Sequence, residues 1–311
     1  MLINDKYNVY KLLQVTGLKF LTLFLIAAAV GFTAKSLGLQ DFLFPTSLVA
    51  IFVAAVSIFL AFRINTGYSR WWLARQVWGG LINESRSLGM YITSMMRHSD
   101  DLSDDDRELH RKLIFRHIGF VNSLRLQLRR QGPEDWEEDI WGRKINGQPL
   151  FSDREAELLK TKDNKATQIL ILQSKDISSY FGNKEDFRQI KLVEILREFY
   201  VRQGQSEAIK NTVLAWGYSF YTRALVRMLA GIIILSQVNN FSIASMVLVS
   251  FIATVFITIE QVGRNLDNPF ENSFNDTPLS TICRLIEIDL LQQIEQPCEL
   301  KPLTPVNGRL N

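Results

Sequence analysis

Three histidines, His98, His110 and His117, are the side chains of this sequence whose type first suggests a metal. They stand twelve and seven residues apart. His110 and His117 can share a helix face, but no carboxylate accompanies them at ligand spacing, which argues against zinc. Asp100, Asp101, Asp104, Asp105 and Asp106 form an acidic run. It lacks the glycine and the terminal glutamate of a calcium loop, and the dipole of a helix favours carboxylates in its first turn. The run therefore reads as helix capping. Cys283 and Cys298 form no CxxC pair and read as reduced structural or surface thiols. No nucleophile elbow, zinc-protease helix, phosphate loop or dinucleotide fingerprint is present. Neither an enzyme, nor a metal site, nor a cofactor is expected.

A different pattern concerns ions in transit. Ala54, Ile58 and Phe62 recur every four residues inside 42–62, a stretch without a charged side chain. That spacing puts them on one helix face. Such a face can pack in a core, meet lipid or line a pore, and spacing alone does not choose. In a pore, a ring of apolar side chains gates by dewetting and lets a partly dehydrated ion slip through.

The elements that would position these residues follow from where the apolar residues fall. The 311 residues are 47% hydrophobic and 22% charged, totals that would suit a soluble enzyme. Net charge is only +3, with no dense basic stripe, so nucleic acid is not an expected partner. The apolar residues, however, are concentrated. One run covers 20–34 between Lys19 and Lys35, whose long side chains can snorkel and extend it. The second, 42–62, has the length a bilayer needs, with Pro45 tolerated in its first turn. The last, 228–259, is too long for one span and is interrupted only by Gln237-Val238-Asn239-Asn240. It reads as a hairpin whose first helix begins near Val213 and includes Arg223 and Arg227, and whose second runs from about Phe241 to Gly263. No cleavable leader is evident at the N-terminus.

Lysine and arginine near the span ends set the orientation. Lys6, Lys11 and Lys19 precede the first span and Arg63, Arg70 and Arg75 follow the second, whereas the intervening loop offers only Lys35. Both termini and the polar middle are therefore expected in the cytosol. Arg63 and Arg70, at the membrane edge, read as headgroup anchors, with a positive rim attracting anions as the alternative.

In the middle, Ser103 caps a helix ended by Gly132-Pro133, residues 136–149 read as a turn-rich loop, and Ser152-Asp153-Arg154-Glu155 is a capping box. An amphipathic segment covers 186–203, Thr277-Pro278 is an N-cap followed by proline at the first helical position, and strand signals are nearly absent. The division expected is 1–63 with two spans, 64–211 as a cytosolic helical domain, 212–263 with two further spans, and 264–311 as a cytosolic segment. The fold class is all-α.

The stretch Arg70-Trp71-Trp72 just after the second span, with Arg75, Trp78-Gly79 and Asn83-Glu84-Ser85-Arg86, resembles the signature of bacterial bestrophins. Asn268-Pro269-Phe270 after the fourth span and Asn275-Asp276-Thr277-Pro278-Leu279 are similar to a second family motif, and Ile209-Lys210-Asn211-Thr212 to a third. The resemblance covers nearly the whole chain, although Leu73-Ala74 replace the usual acid after the tryptophans. It implies a homopentameric channel in the cell membrane with one central pore, passing chloride and other small anions. A monovalent cation channel of the same architecture and a non-conducting scaffold are the alternatives. It further implies that Ala54, Ile58 and Phe62 line the membrane neck. Ile190, with Phe187 in reserve, would form a cytosolic aperture, against the alternative that Ile190 packs in a core. The calcium clasp of animal members is not carried over, because Glu271-Asn272-Ser273-Phe274-Asn275 holds a single acid.

Overall fold

The computed structural model describes residues 9–38, 46–97, 102–182, 186–212, 216–238, 242–273 and 275–305. His98, Asp100, Asp101, Pro45, Val213 and Phe241, named above, lie outside them. Ten α-helices follow in chain order among the described residues: α1 Val9–Ser36, α2 Thr46–Met95, α3 Asp104–Arg129, α4 Pro133–Trp136, α5 Asp153–Lys160, α6 Lys165–Phe181, α7 Phe187–Asn211, α8 Trp216–Ser236, α9 Ile243–Asn265 and α10 Leu279–Gln293. A π-helical turn, Glu137–Trp141, follows α4, and two strands, β1 Lys144–Ile145 and β2 Gln148–Pro149, pair antiparallel.

Among the described residues, four helices are long and apolar enough to cross a membrane, over Thr16–Ser36, Ser47–Met95, Gly217–Ser236 and Ile243–Asn265. The second is far longer than a bilayer needs. Its 50 residues extend about 75 Å at 1.5 Å per residue, so the apolar stretch and the tryptophan-rich stretch after it are one helix.

The chain forms two compact units, one of Asn4–Trp71 with Val213–Asn268, the other of Trp72–Thr212 with Pro269–Asn311. In the first, α1 packs on α9 and α8, and α8 on α9. Its core joins Ala27, Val56, Leu60, Val226, Leu229, Ile233, Ile234 and Val249.

In the second unit α3 is the hub, packed against α6, α7 and α10. A helix touched on most sides must be apolar around most of its circumference, and Leu113, Ile114, Ile118, Phe120, Leu124, Leu126 and Leu128 are all buried. Its start is fixed by the expected capping box, Ser103 accepting from the Asp106 amide at 3.1 Å. Its end differs from expectation. Arg130 takes the left-handed conformation, φ 51°, and the Gln131 amide reaches back to the Leu126 carbonyl. Gly132-Pro133 instead opens α4, with proline where its missing donor costs nothing. Halfway along α3, the Phe151 ring presses on Gly119 so closely that a Cβ there would lie 2.3 Å from it.

Residues 136–149 are likewise more ordered than a loop. Asn146 and Gly147, both at positive φ, form the two-residue turn joining β1 and β2. Thr277 does not cap α10 either. Pro278 holds the cap position, and the buried Thr277 hydroxyl has no partner among the described residues while the Thr277 carbonyl accepts from the Leu279 amide. The Ser152 capping box of α5 is present.

Both described histidines are buried on α3. His110 Nε2 lies 2.5 Å from the Met96 carbonyl oxygen. His117 Nε2 lies 2.9 Å from Ser85 Oγ, whose own proton goes to the Leu81 carbonyl, so Nε2 is the donor and Nδ1 a bare lone pair. Phe120 and Phe199 close around the ring. Burial holds His110 below the usual histidine range and pushes His117 down to about 3. The folded state then binds fewer protons than the unfolded chain between about pH 6.5 and 3, and stability contributed by neutral His117 is lost as pH falls through that window. We expect His117→Gln to flatten the dependence of melting temperature on pH between 7 and 4. An unchanged slope would place the acid sensitivity elsewhere. Cys283 is buried, donates to the Val121 carbonyl at 3.7 Å, and is pushed up to about 11 by burial.

Candidate pore face

A helix of the length of α2 shows which side is packed by which residues are buried. Val56, Leu60, Arg63, Gly67 and Ala74 are buried at intervals of three, four or seven residues, one continuous stripe. The expected neck residues stand on the far side. Ala54 is exposed, Ile58 is 60% exposed and Phe62 66%, with Leu48 and Ile51 continuing their line toward the helix start. Beyond Phe62 the exposed face turns polar without becoming charged, with Asn65, Ser69 and Gln76. The face is therefore apolar first, then rich in neutral hydrogen-bonding groups.

The packed stripe is anchored by a cluster that sequence reading missed. Arg63 is buried, and both of its terminal nitrogens donate to the Asp267 carboxylate, one at 2.7 Å. Its guanidinium lies over the Tyr218 ring, 5.4 Å from the centroid, and 3.5 Å from Ser219 Oγ. One turn on, Gly67 meets α9 so closely that a Cβ would sit 2.7 Å from the Gly263 carbonyl oxygen. A further turn on, Arg70 Nε donates to the backbone carbonyl of Asp267 at 2.9 Å. Arg63, Gly67 and Arg70 thus grip the chain where α9 ends. Arg63 is neither a headgroup anchor nor a rim charge, because its charge is buried against a carboxylate.

The family-motif residues divide. Trp71 is half-buried with its ring 5.8 Å from that of Tyr68, and Trp72 is exposed. Asn268 is exposed, whereas Pro269 and Phe270 are buried and the Pro269 carbonyl accepts from the Thr277 amide at 3.0 Å. Phe270 belongs to the core of the second unit.

On α7, Leu192, Ile195, Leu196 and Phe199 face that same core. Ile190 is 52% exposed and Phe187 86%, with Val193 also exposed. The core reading of Ile190 is thereby excluded within one chain. The exposed side of α7 carries its own apolar line.

The family of bacterial and fungal bestrophin proteins matches residues 11–292. The chain belongs to the bestrophin family. Among its relatives, the voltage-dependent anion channel-forming protein YneE of Escherichia coli K12 is 27% identical over 271 residues, covering 86% of this chain and 82% of that one. A voltage-dependent anion channel-forming protein of Synechocystis is 25% identical over 268 residues, covering 84% and 80%. The crystal structure of a bacterial bestrophin homologue from Klebsiella pneumoniae shares the fold, with a TM-score of 0.78 at 20% identity over 90% of this chain and 99% of that one. With its four apolar helices, this bestrophin is a multi-pass membrane protein.

Proposed function

We propose that this bestrophin is a passive channel for chloride and other small anions, built from five copies around a central pore. The observation that carries this reading is the unpacked face of α2. A stripe of Ala54, Ile58 and Phe62 stays exposed on a helix whose other side is anchored by Arg63, Gly67 and Arg70. Five such faces would enclose a neck that repels water when empty and holds no ion tightly. The neutral donors that follow, Asn65, Ser69 and Gln76, can solvate an anion leaving the neck. The names of the relatives support anions over cations. Both termini and the unit centred on α3 lie in the cytosol, on the lysine and arginine asymmetry.

Assembly is tested by mass in mild detergent, which should be about five times the 35.7 kDa chain. A stable monomer or dimer would contradict the pore, since neither encloses one. Function is tested by chloride efflux from liposomes containing the purified protein. Efflux equal to that of empty liposomes would leave a non-conducting scaffold.

We assign the second constriction to the exposed face of α7, at Ile190, with Phe187 beside it. Ile190→Ala removes no core contact within the chain, so the melting temperature should barely move, a cost of about 0.5 kcal/mol or less. Single-channel conductance or ion selectivity should change. Unchanged conductance in a folded pentamer would remove Ile190 from the pathway.

A further inference from the structure

The first unit holds a cavity of about 210 Å³ with an unusual wall. Lys19 of α1, Arg223 and Arg227 of α8, and Arg264 of α9 line it, together with Glu260 and Gln261. Four cations thus face one carboxylate. Their internal partners are few. Arg264 approaches Glu260 at 3.7 Å, Lys19 donates to Gln261, and among the described residues Arg223 donates only to a carbonyl of its own helix at 3.3 Å. Arg227 makes no ion pair or hydrogen bond among the described residues and is exposed. It also sits near the middle of the span Gly217–Ser236, where an uncompensated charge is costly. Like charges gathered around an open cavity repel one another, and an anion supplied from outside relieves that.

We propose that this cavity binds a phosphate-bearing anion, the headgroup of an anionic phospholipid. Arg223 and Arg227 are one helical turn apart on the same face, and the two guanidinium forks match the oxygens of a phosphate. The volume is many times the 10–15 Å³ or so that a single water needs. Lys19 lies near the start of its span, Arg264 near the end of its own and Arg223 in the first turns of the third, so three packed helices bring basic ends together. Basic pockets between spans are where anionic headgroups bind. Exposed Leu18, Tyr221 and Met228, each next to a basic residue of the cavity or two positions from one, offer apolar surface to acyl chains. The site uses none of the α2 neck residues, so its test and that of the channel reading fail independently.

The test is thermal melting of the purified protein in detergent with short-chain phosphatidylglycerol, short-chain phosphatidylcholine or inorganic phosphate. Phosphatidylglycerol should raise the melting temperature saturably, and phosphatidylcholine should not. In R223Q/R227Q the half-saturating concentration should rise roughly thirty-fold, the loss expected for two basic residues near an anionic surface. Glu260→Gln, which removes the cavity's carboxylate, should tighten binding, and it decides the matter if the arginine variant does not fold. Inorganic phosphate that reproduces the shift and abolishes the lipid effect would assign the site to the free anion. Phosphate without effect assigns it to the lipid. An equal response to phosphatidylcholine, or half-saturation unchanged in both variants, would overturn the site.

Discussion

Replacing Ile58 and Phe62 together by alanine is expected to raise chloride flux through liposomes roughly tenfold, the gain that about 1.4 kcal/mol off the translocation barrier gives. The two side chains are exposed on the unpacked face of α2, so truncating them removes little packing within the chain. What changes is the neck. Alanine leaves a wider ring with less apolar surface, which stays wet more of the time and asks a passing ion to shed less water. The assembly mass should be unchanged in the same sample. Unaltered flux through an intact assembly would show that these side chains face lipid or a neighbouring subunit.

The largest loss of stability is expected from Asp267→Ala. Arg63 would then be a buried guanidinium without its carboxylate, a change that costs about 3–5 kcal/mol. Substituting both partners, Arg63→Met with Asp267→Leu, should recover most of that, because the desolvation cost of the charges disappears with them. Thermal unfolding of the two variants checks the pair. Asp267→Ala within about 1 kcal/mol of the parent would mean that the pair contributes nothing net at this site.

Why Asp267 escaped sequence reading is instructive. It stands 204 positions from Arg63, and nothing in one sequence couples two residues so distant. The neighbouring Asn268-Pro269-Phe270 motif marked the region, while the residue that binds α2 lay one place before it. The spans themselves were legible because uninterrupted apolar length is a strong local signal. That Ala54, Ile58 and Phe62 share a face was legible too, since a period of four is a property of sequence, but their exposure was not. The continuity of α2 was not legible. A charged residue such as Arg63 marks the end of an apolar run but does not break a helix, and no proline stands between Thr46 and Met95. The β1–β2 pair was missed because two residues per strand cannot show alternation, although Asn146-Gly147 is the turn dipeptide that could have announced it. On α7 both sides are apolar in part, with Phe187, Ile190 and Val193 outside and Leu192, Ile195 and Leu196 inside. Amphipathicity could not say which side the core would take.

Charge placement on α2 bears on the ion's sign. Arg63 is cancelled by Asp267, and the exposed face from Ala54 to Gln76 carries no charged side chain. In the proposed pore, selectivity would then rest on the cost of dehydration in an apolar neck and on neutral donors beyond it.

Purified protein in a planar bilayer, with a tenfold-order gradient of potassium chloride, tests the anion-channel reading most directly. Single-channel currents should reverse near the chloride equilibrium potential. Reversal near the potassium equilibrium potential, or a bilayer that stays silent, would contradict it.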